Sequence, residues 1–297
     1  SPPVTSAQPQ TGTDAGSDSG NDVSGAGGVA DGQGTTQSGS NQSQASTATK
    51  ASDEQAKGVV LIDTALASGG EAAGTGMVLS ADGLVLTNYH VVAGSSLIRV
   101  TDAATDKTYS ASVVGHDATQ DVALLQLKDA SGLTPVTLDT NGVSVGEAVT
   151  AIGNAEGQGY LTVVSGSVQE LNTTVTVANE QTGAPSTVDD VFATNVAAVP
   201  GDSGGPMVDA QGEVVGMTTA GSATNASSRG HATRTISYAI TITEAEKIVA
   251  QIEAGRESGS VEIGPKAYLG VSVGSAGLQV SSVQSGSAAA SAGITAG

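Results

Sequence analysis

Short runs of Val, Ile, Leu and Thr recur along the chain from Gly58 onward. Gly, Asp, Asn and Ser separate them. The runs include Met77–Leu79, Leu84–Thr87, Leu97–Thr101, Ser112–Val114, Val122–Leu127, Ala148–Ile152, Val163–Leu171, Val191–Asn195, Pro206–Val208, Val214–Thr219 and Ser237–Ile240. Each is of strand length, and turn signals lie between them, such as Ala81-Asp82-Gly83, Thr140-Asn141-Gly142 and Ala210-Gln211-Gly212. Many short strands at such spacing predict an all-β sandwich or barrel pair. One helical pattern follows. Thr243 can cap it, Glu244 and Glu246 suit its first turn, and Ile248, Val249 and Ile252 form its apolar side. Gly255 can end it.

The flanks read differently. Residues 1–57 consist mainly of Ser, Gly, Thr, Gln, Ala and Asp, with no aromatic residue. Such a stretch buries too little apolar surface to offset its ordering entropy, so a disordered, acidic tether is expected. The folded domain is expected over 58–255, a linker over 256–266, and the start of a small β-rich unit over 267–297. Thirty-one residues are too few for an independent fold without staples, so this last unit is expected to be truncated.

Composition narrows the chemistry. The chain has 297 residues and no Cys, which excludes disulfides, thiolate zinc sites and a Cys nucleophile. Its net charge of −19 argues against nucleic acid or an anionic membrane surface as a main partner. No apolar run is long enough to span a bilayer. Without an initiator Met or a signal-like apolar region, a processed or excised piece of a longer chain is expected. No metal cluster or phosphate loop is evident, so no cofactor is expected. Asp102, Asp106, Asp189 and Asp190 read as a solvated acidic surface.

The sharpest chemical signal is Gly201-Asp202-Ser203-Gly204-Gly205-Pro206. A nucleophilic Ser needs an exposed hydroxyl beside converging backbone N–H groups, and glycines permit that tight turn. The N–H groups of Gly201 and Ser203 are candidates for an oxyanion hole. A hydroxyl also needs a base. His90 follows the Leu84–Thr87 run and suits a barrel edge facing a cleft, whereas His116 and His231 read as solvated loop histidines. Asp121 leads directly into an apolar strand, which is unusual for an acid without a partner. Asp117 reads as a turn cap. The order His90, Asp121, Ser203 is that of one of the known triad arrangements.

The segments TNYHVV, DVALL and GDSGGP resemble those of trypsin-like serine proteases of the HtrA (DegP/Deg) family. GTGMVLSADGLVLTNYHVV is similar to the family's run before its catalytic His. AIGN and VVSGSVQEL are similar to the start of its second barrel. Tyr268–Val271, with Gly286-Ser287-Ala288 and Ala292-Gly293-Ile294, resembles the first third of a PDZ domain. The resemblance implies two six-stranded β-barrels of the chymotrypsin/trypsin type, divided near residues 145–150, with the site between them. It implies His90 as base, Asp121 as its orienter, Ser203 as nucleophile and Gly201 N–H as an oxyanion donor. It places Ala197 at the base of the primary substrate pocket, with Ala198, Thr218, Thr219 and Ala220 alongside. Cleavage after small or medium aliphatic residues is then expected, in unfolded or damaged extracytoplasmic proteins of a bacterium. The chain would be secreted or tethered to the membrane. A complete PDZ domain would add peptide C-termini as partners. A peptide-binding holdase with latent proteolysis is the alternative.

Three features depart from the family pattern. Asp202 stands where HtrA members often carry Asn, and is expected to bond locally. No aromatic residue precedes Tyr89, which leaves the oligomeric state open, a trimer included. Residues 220–236 are long and polar for a pocket wall, and a mobile loop is expected there.

Overall fold

The computed structural model describes residues 47–66, 69–178, 185–220, 236–257, 259–264, 271–273, 279–283 and 287–297. The bulk of the tether, 1–46, lies outside the described residues. So do His231, most of the 220–236 loop, Tyr268–Gly270 and Gly286. Residues 47–57, which the composition assigns to the tether, hold a short strand, β1 (Thr49–Lys50), and a helical turn, α1 (Asp53–Ala56). Ser52 caps that turn and Gln55 reaches back to the Ser52 N–H, a reciprocal capping box.

Six strands follow: β2 (Val59–Leu66), β3 (Glu71–Val78), β4 (Leu84–Thr87), β5 (Ser95–Asp102), β6 (Thr108–Asp117) and β7 (Val122–Leu127). A single helical turn, α2 (Tyr89–Val92), interrupts them after β4. All pairings are antiparallel, in the order β6-β5-β2-β3-β4-β7, and β6–β7 pairing closes the barrel. Strand β7 shows how the sequence builds two cores from one strand. Ala123, Leu125 and Leu127 point into the barrel beside Val60, Ile62 and Val100. Val122 and Leu124 point the other way, into a cluster shared with the second half of the molecule. A strand buried on both faces reads as a continuous apolar run, as Val122–Leu125 does.

The second half contains β8 (Ala148–Gly153), β9 (Thr162–Ala178), β10 (Pro185–Thr194), β11 (Pro206–Val208), β12 (Val214–Ala220) and β13 (Ser237–Thr241). A 3₁₀ turn, Ala155–Gly157, follows β8. This ring-like sheet runs β9-β10-β13-β12-β11-β8 and closes through β8–β9, with β1 added on β9. Its interior holds Val149, Val168, Phe192, Met207 and Val215. Phe192, the chain's one Phe, is fully buried, and its ring fills the space that a Cβ on Gly216 would occupy.

Helix α3 (Ile242–Glu253) then crosses toward the first barrel. Its N-cap is Thr241, whose hydroxyl accepts the Glu244 N–H, and not Thr243 as the sequence suggests. The strand β13 ends directly in the cap, so the helix begins two residues earlier than a Thr243 cap implies. Gly255 follows the helix with a φ of 63°, in the expected terminating role. Ile248 and Ile252 bury the helix against the shared cluster. Strand β14 (Val261–Ile263) then pairs antiparallel with β6. Beyond it, β15 (Val271–Val273) pairs antiparallel with β16 (Val280–Val283), and α4 (Ala288–Ser291) closes the described chain. The architecture is mostly β, one six-stranded barrel and a second ring-like sheet, consistent with a trypsin fold.

Truncating Phe192 to Ala should destabilise the protein by about 3–5 kcal/mol, and Gly216→Ala by about 1–3 kcal/mol through overpacking. Urea unfolding of both variants measures these costs. A cost near zero for both would contradict this account of the second core.

Candidate active site

Asp121 is delivered by the turn between β6 and β7. The Asp117 carboxylate, acting as the predicted cap, accepts the N–H groups of Thr119 and Gln120, each at 2.9 Å. Asp121 itself takes a left-handed φ of 55° and is 3% exposed. Its Oδ1 accepts the His90 N–H at 2.9 Å, and its Oδ2 lies 2.8 Å from His90 Nδ1. Oδ2 also accepts the Thr219 hydroxyl at 2.6 Å. Its backbone carbonyl accepts Asn88 Nδ2 at 2.9 Å and the Tyr89 N–H at 3.2 Å. A carboxylate can only accept here, so Nδ1 of His90 is the protonated ring nitrogen and Nε2 is the basic one. The His90 side chain is 14% exposed, at the start of α2.

The Ser203 loop is seated by glycine and by Thr75. Gly201 and Gly204 have φ values of 95° and 83°. A Cβ on Gly204 would strike the Thr75 carbonyl and the Thr87 hydroxyl, and one on Gly201 would strike the Asn154 carbonyl. Thr75 donates its N–H to the Ser203 carbonyl at 2.9 Å and its hydroxyl to the Gly201 carbonyl at 2.7 Å. The same hydroxyl accepts the Asn154 N–H at 2.9 Å. On the other side, Gly204 N–H donates to the Thr218 carbonyl at 2.8 Å, and Thr218 N–H to the Gly205 carbonyl at 3.0 Å.

Two strands therefore serve both halves of the site. Strand β12 holds the Ser203 loop through Thr218 and Asp121 through Thr219. Strand β3 touches both through Gly74, which packs against Val91 and the Ser203 carbonyl. Thr219, expected in the pocket, has its hydroxyl engaged by Asp121 instead. Ala198 is buried and Ala197 half-buried, with the Ala198 N–H on the Ser237 hydroxyl at 3.3 Å. Thr75, Asn88 and the acid-binding role of Thr219 escaped the sequence reading. Their signal, a small polar residue inside an apolar run, is shared by many strand residues. His116 is corrected: far from being a solvated loop residue, it lies in β6 and is 0% exposed. The Gly-His-Asp string looks like a turn only because the strand extends to its last residue.

Among the described residues, Asp139, Asp209 and Glu213 bring carboxylate oxygens within 4.8 Å of one another. Asp139 and Asp209 already accept backbone N–H groups of their own loops.

Asp202 is 4% exposed, and its Oδ2 accepts the Val199 N–H at 2.9 Å. Burial pushes its pKa from 3.8 up to about 6, against the opposing pull of that hydrogen bond. Below the ordinary carboxylate range, Asp202 is protonated whether the chain is folded or not. As pH rises through about 6, the folded chain must bury a charge that the unfolded chain carries in water, and stability is lost. Asp202→Asn keeps an acceptor for Val199 without the charge. It should be more stable than the parent near neutral pH, by up to about 3 kcal/mol, with the advantage fading toward about pH 4. Thermal unfolding across that pH range checks this. An advantage that persists or grows in acid would contradict it.

The family model described as a trypsin-like peptidase domain matches residues 74–217. Serine protease PepD of Mycobacterium tuberculosis is 34% identical over 256 residues, covering 80% of this chain and 53% of PepD. Periplasmic serine endoprotease DegP of Salmonella typhimurium is 33% identical over 240 residues, covering 76% of this chain and 47% of DegP. The chain thus spans about half the length of these relatives. Among solved structures, the Rv3671c protease of M. tuberculosis in its active form superposes with a TM-score of 0.58 at 29% identity, covering 70% of this chain and 86% of that one. The HtrA-type protease AlgW with tripeptide gives 0.57 at 31% identity, covering 69% and 65%. The segments around His90, Asp121 and Ser203 fall within the matched region: the chain carries a trypsin-like peptidase domain, and serine proteases of the HtrA/DegP family are its homologues.

Proposed function

We propose that this chain is a serine endopeptidase that works through an acyl-enzyme, with His90, Asp121 and Ser203 as its triad. The observation that carries the reading is the fixed His90–Asp121 pair, joined to the Ser203 loop through β3 and β12. In the first step His90 Nε2 takes the Ser203 hydroxyl proton as Oγ attacks the peptide carbonyl carbon. The N–H groups of Gly201 and Ser203 stabilise the resulting oxyanion. The imidazolium, held by Asp121, then gives its proton to the leaving amine as the C–N bond breaks. Water, deprotonated by the same imidazole, releases the acyl group and restores the hydroxyl.

Ala197, Ala198, Thr218 and Ala220 form the primary pocket in this reading, with no carboxylate there to meet a basic side chain. Small or medium aliphatic residues then fit best at the cleavage position. The protease domain in this reading covers 58–255 together with β1, added to the second sheet, and β14, which lies within the expected 256–266 linker but pairs with the first barrel. The start of a PDZ domain covers 267–297, a reading that the β15–β16 pair and α4 support. Relatives named periplasmic support work outside the cytoplasm on polypeptide substrates. Among the described residues no helix is long and apolar enough to cross a membrane.

An organophosphonate should label Ser203. Ser203→Ala should abolish labelling and lower turnover on the order of 10⁶-fold. Fluorogenic peptides with Val or Ala at the cleavage position should be processed faster than those with Arg. Full activity in Ser203→Ala would discard the mechanism, and faster cleavage after Arg would discard the pocket.

A further inference from the structure

Two contact paths run from β14 to the His90–Asp121 pair, and they arrive at different members of it. The first starts at Glu262. Its carboxylate Oε2 lies 3.5 Å from Nε2 of His116, directly across the β14–β6 ladder. The His116 ring in turn stacks on Tyr89, with centroids 4.3 Å apart and planes 7° apart. Tyr89 precedes His90, opens α2, and gives its N–H to the Asp121 carbonyl. The second path starts at Ser260, the residue immediately before β14, whose hydroxyl donates to Asp117 Oδ2 at 2.7 Å. The other oxygen of Asp117 caps the turn that delivers Asp121.

The strand is seated closely enough to act as a support. Val261 is buried, and Gly264 N–H donates to the Val114 carbonyl at 2.7 Å. Gly115 makes the approach possible, because a Cβ there would meet the Glu262 carbonyl and the Ile252 side chain. Polar side chains at Ser260 and Glu262 are not needed to pair a strand, since the ladder uses only backbone groups. Yet both reach residues that lead straight to the site.

We infer that β14 is a brace for the catalytic pair, and that Tyr89, His116 and Asp117 are positioning residues acting through His90 and Asp121. The inference rests on the peptidase reading above. Its consequence is specific: loosening the brace misplaces the base relative to the hydroxyl and leaves the peptide-binding surfaces of the second sheet unchanged. Small displacements of a reacting group are costly to turnover. Binding, which depends on β12 and the 197–198 segment, should not respond.

The test uses the full chain carrying Ser260→Ala together with Glu262→Ala, and separately Tyr89→Leu and Tyr89→Phe. The Ser260 and Glu262 side chains are half-buried and exposed respectively, so the fold should survive. The double variant and Tyr89→Leu should each lower kcat by about tenfold or more with KM within about twofold, and Tyr89→Phe should restore what Leu loses. In the proton NMR spectrum, the hydrogen-bonded Nδ1 proton of His90 should broaden or shift in the same variants. That signal reads the His90–Asp121 pair even if the chain proves inactive on peptides, which separates failure of this inference from failure of the function. If Tyr89→Leu does not fold, His116→Gln removes the other ring and carries the same expectation. An unchanged kcat and an unchanged Nδ1 signal would overturn the inference. So would a rise in KM alone, or a loss in Tyr89→Leu that Tyr89→Phe fails to repair.

Discussion

The Asp121 carboxylate is the point on which the site depends. It accepts the backbone N–H of His90, faces the His90 ring nitrogen and accepts the Thr219 hydroxyl. Two of these groups come from the first barrel and one from the second sheet. A buried carboxylate without such partners would be strongly disfavoured. Because it is satisfied from both sides, it fixes the imidazole's tautomer and ties the two halves of the molecule at the place where chemistry is proposed. The left-handed φ of Asp121 is part of the same arrangement. The backbone is bent so that a strand-leading residue turns its side chain toward α2, and the Asp117 cap holds that bend.

The nucleophile's side follows a complementary rule. The Ser203 loop is held by the N–H and hydroxyl of Thr75, by backbone hydrogen bonds exchanged with Thr218, by the Val199 N–H on the Asp202 carboxylate and by the close approach that glycine allows. The glycines at 201 and 204 meet carbonyl oxygens of β3 and the 154–157 turn where any side chain would collide. The loop carries its own cost, since Asp202 buries a carboxyl whose pKa rises to about 6. In the proposed mechanism the loop and the base meet without either having to reorganise, which is the condition for electrostatic preorganisation.

Much of this was legible in the residues. Strands such as Leu84–Thr87, Val122–Leu127 and Pro206–Val208 emerge with the boundaries their apolar runs imply, because turns with strong chemistry bound them. The His90–Asp121 contact was also legible, since an acid opening a buried strand demands a partner. Other features were hidden. Thr219 reads as one more β-branched strand residue, and only tertiary pairing of β12 reveals that its hydroxyl meets Asp121. Val59–Leu66 did not stand out as a strand, although it lies at the centre of the first barrel. His116 reads as solvent-facing in a Gly-His-Asp string, whereas it is buried in β6, stacked on Tyr89 and opposite Glu262 of β14. The cap of α3 moved to Thr241 because the strand before it ends there, a tertiary constraint that local propensity does not encode.

Asp121→Asn isolates the central claim, since it keeps the shape of the site while replacing the acceptor that sets the His90 tautomer. The rate of Ser203 acylation by a peptide ester, followed by stopped flow, should fall by about 10⁴-fold in this variant with the fold intact. An acylation rate equal to that of the parent would contradict the account, because Ser203 would then be activated by something other than the pair described here.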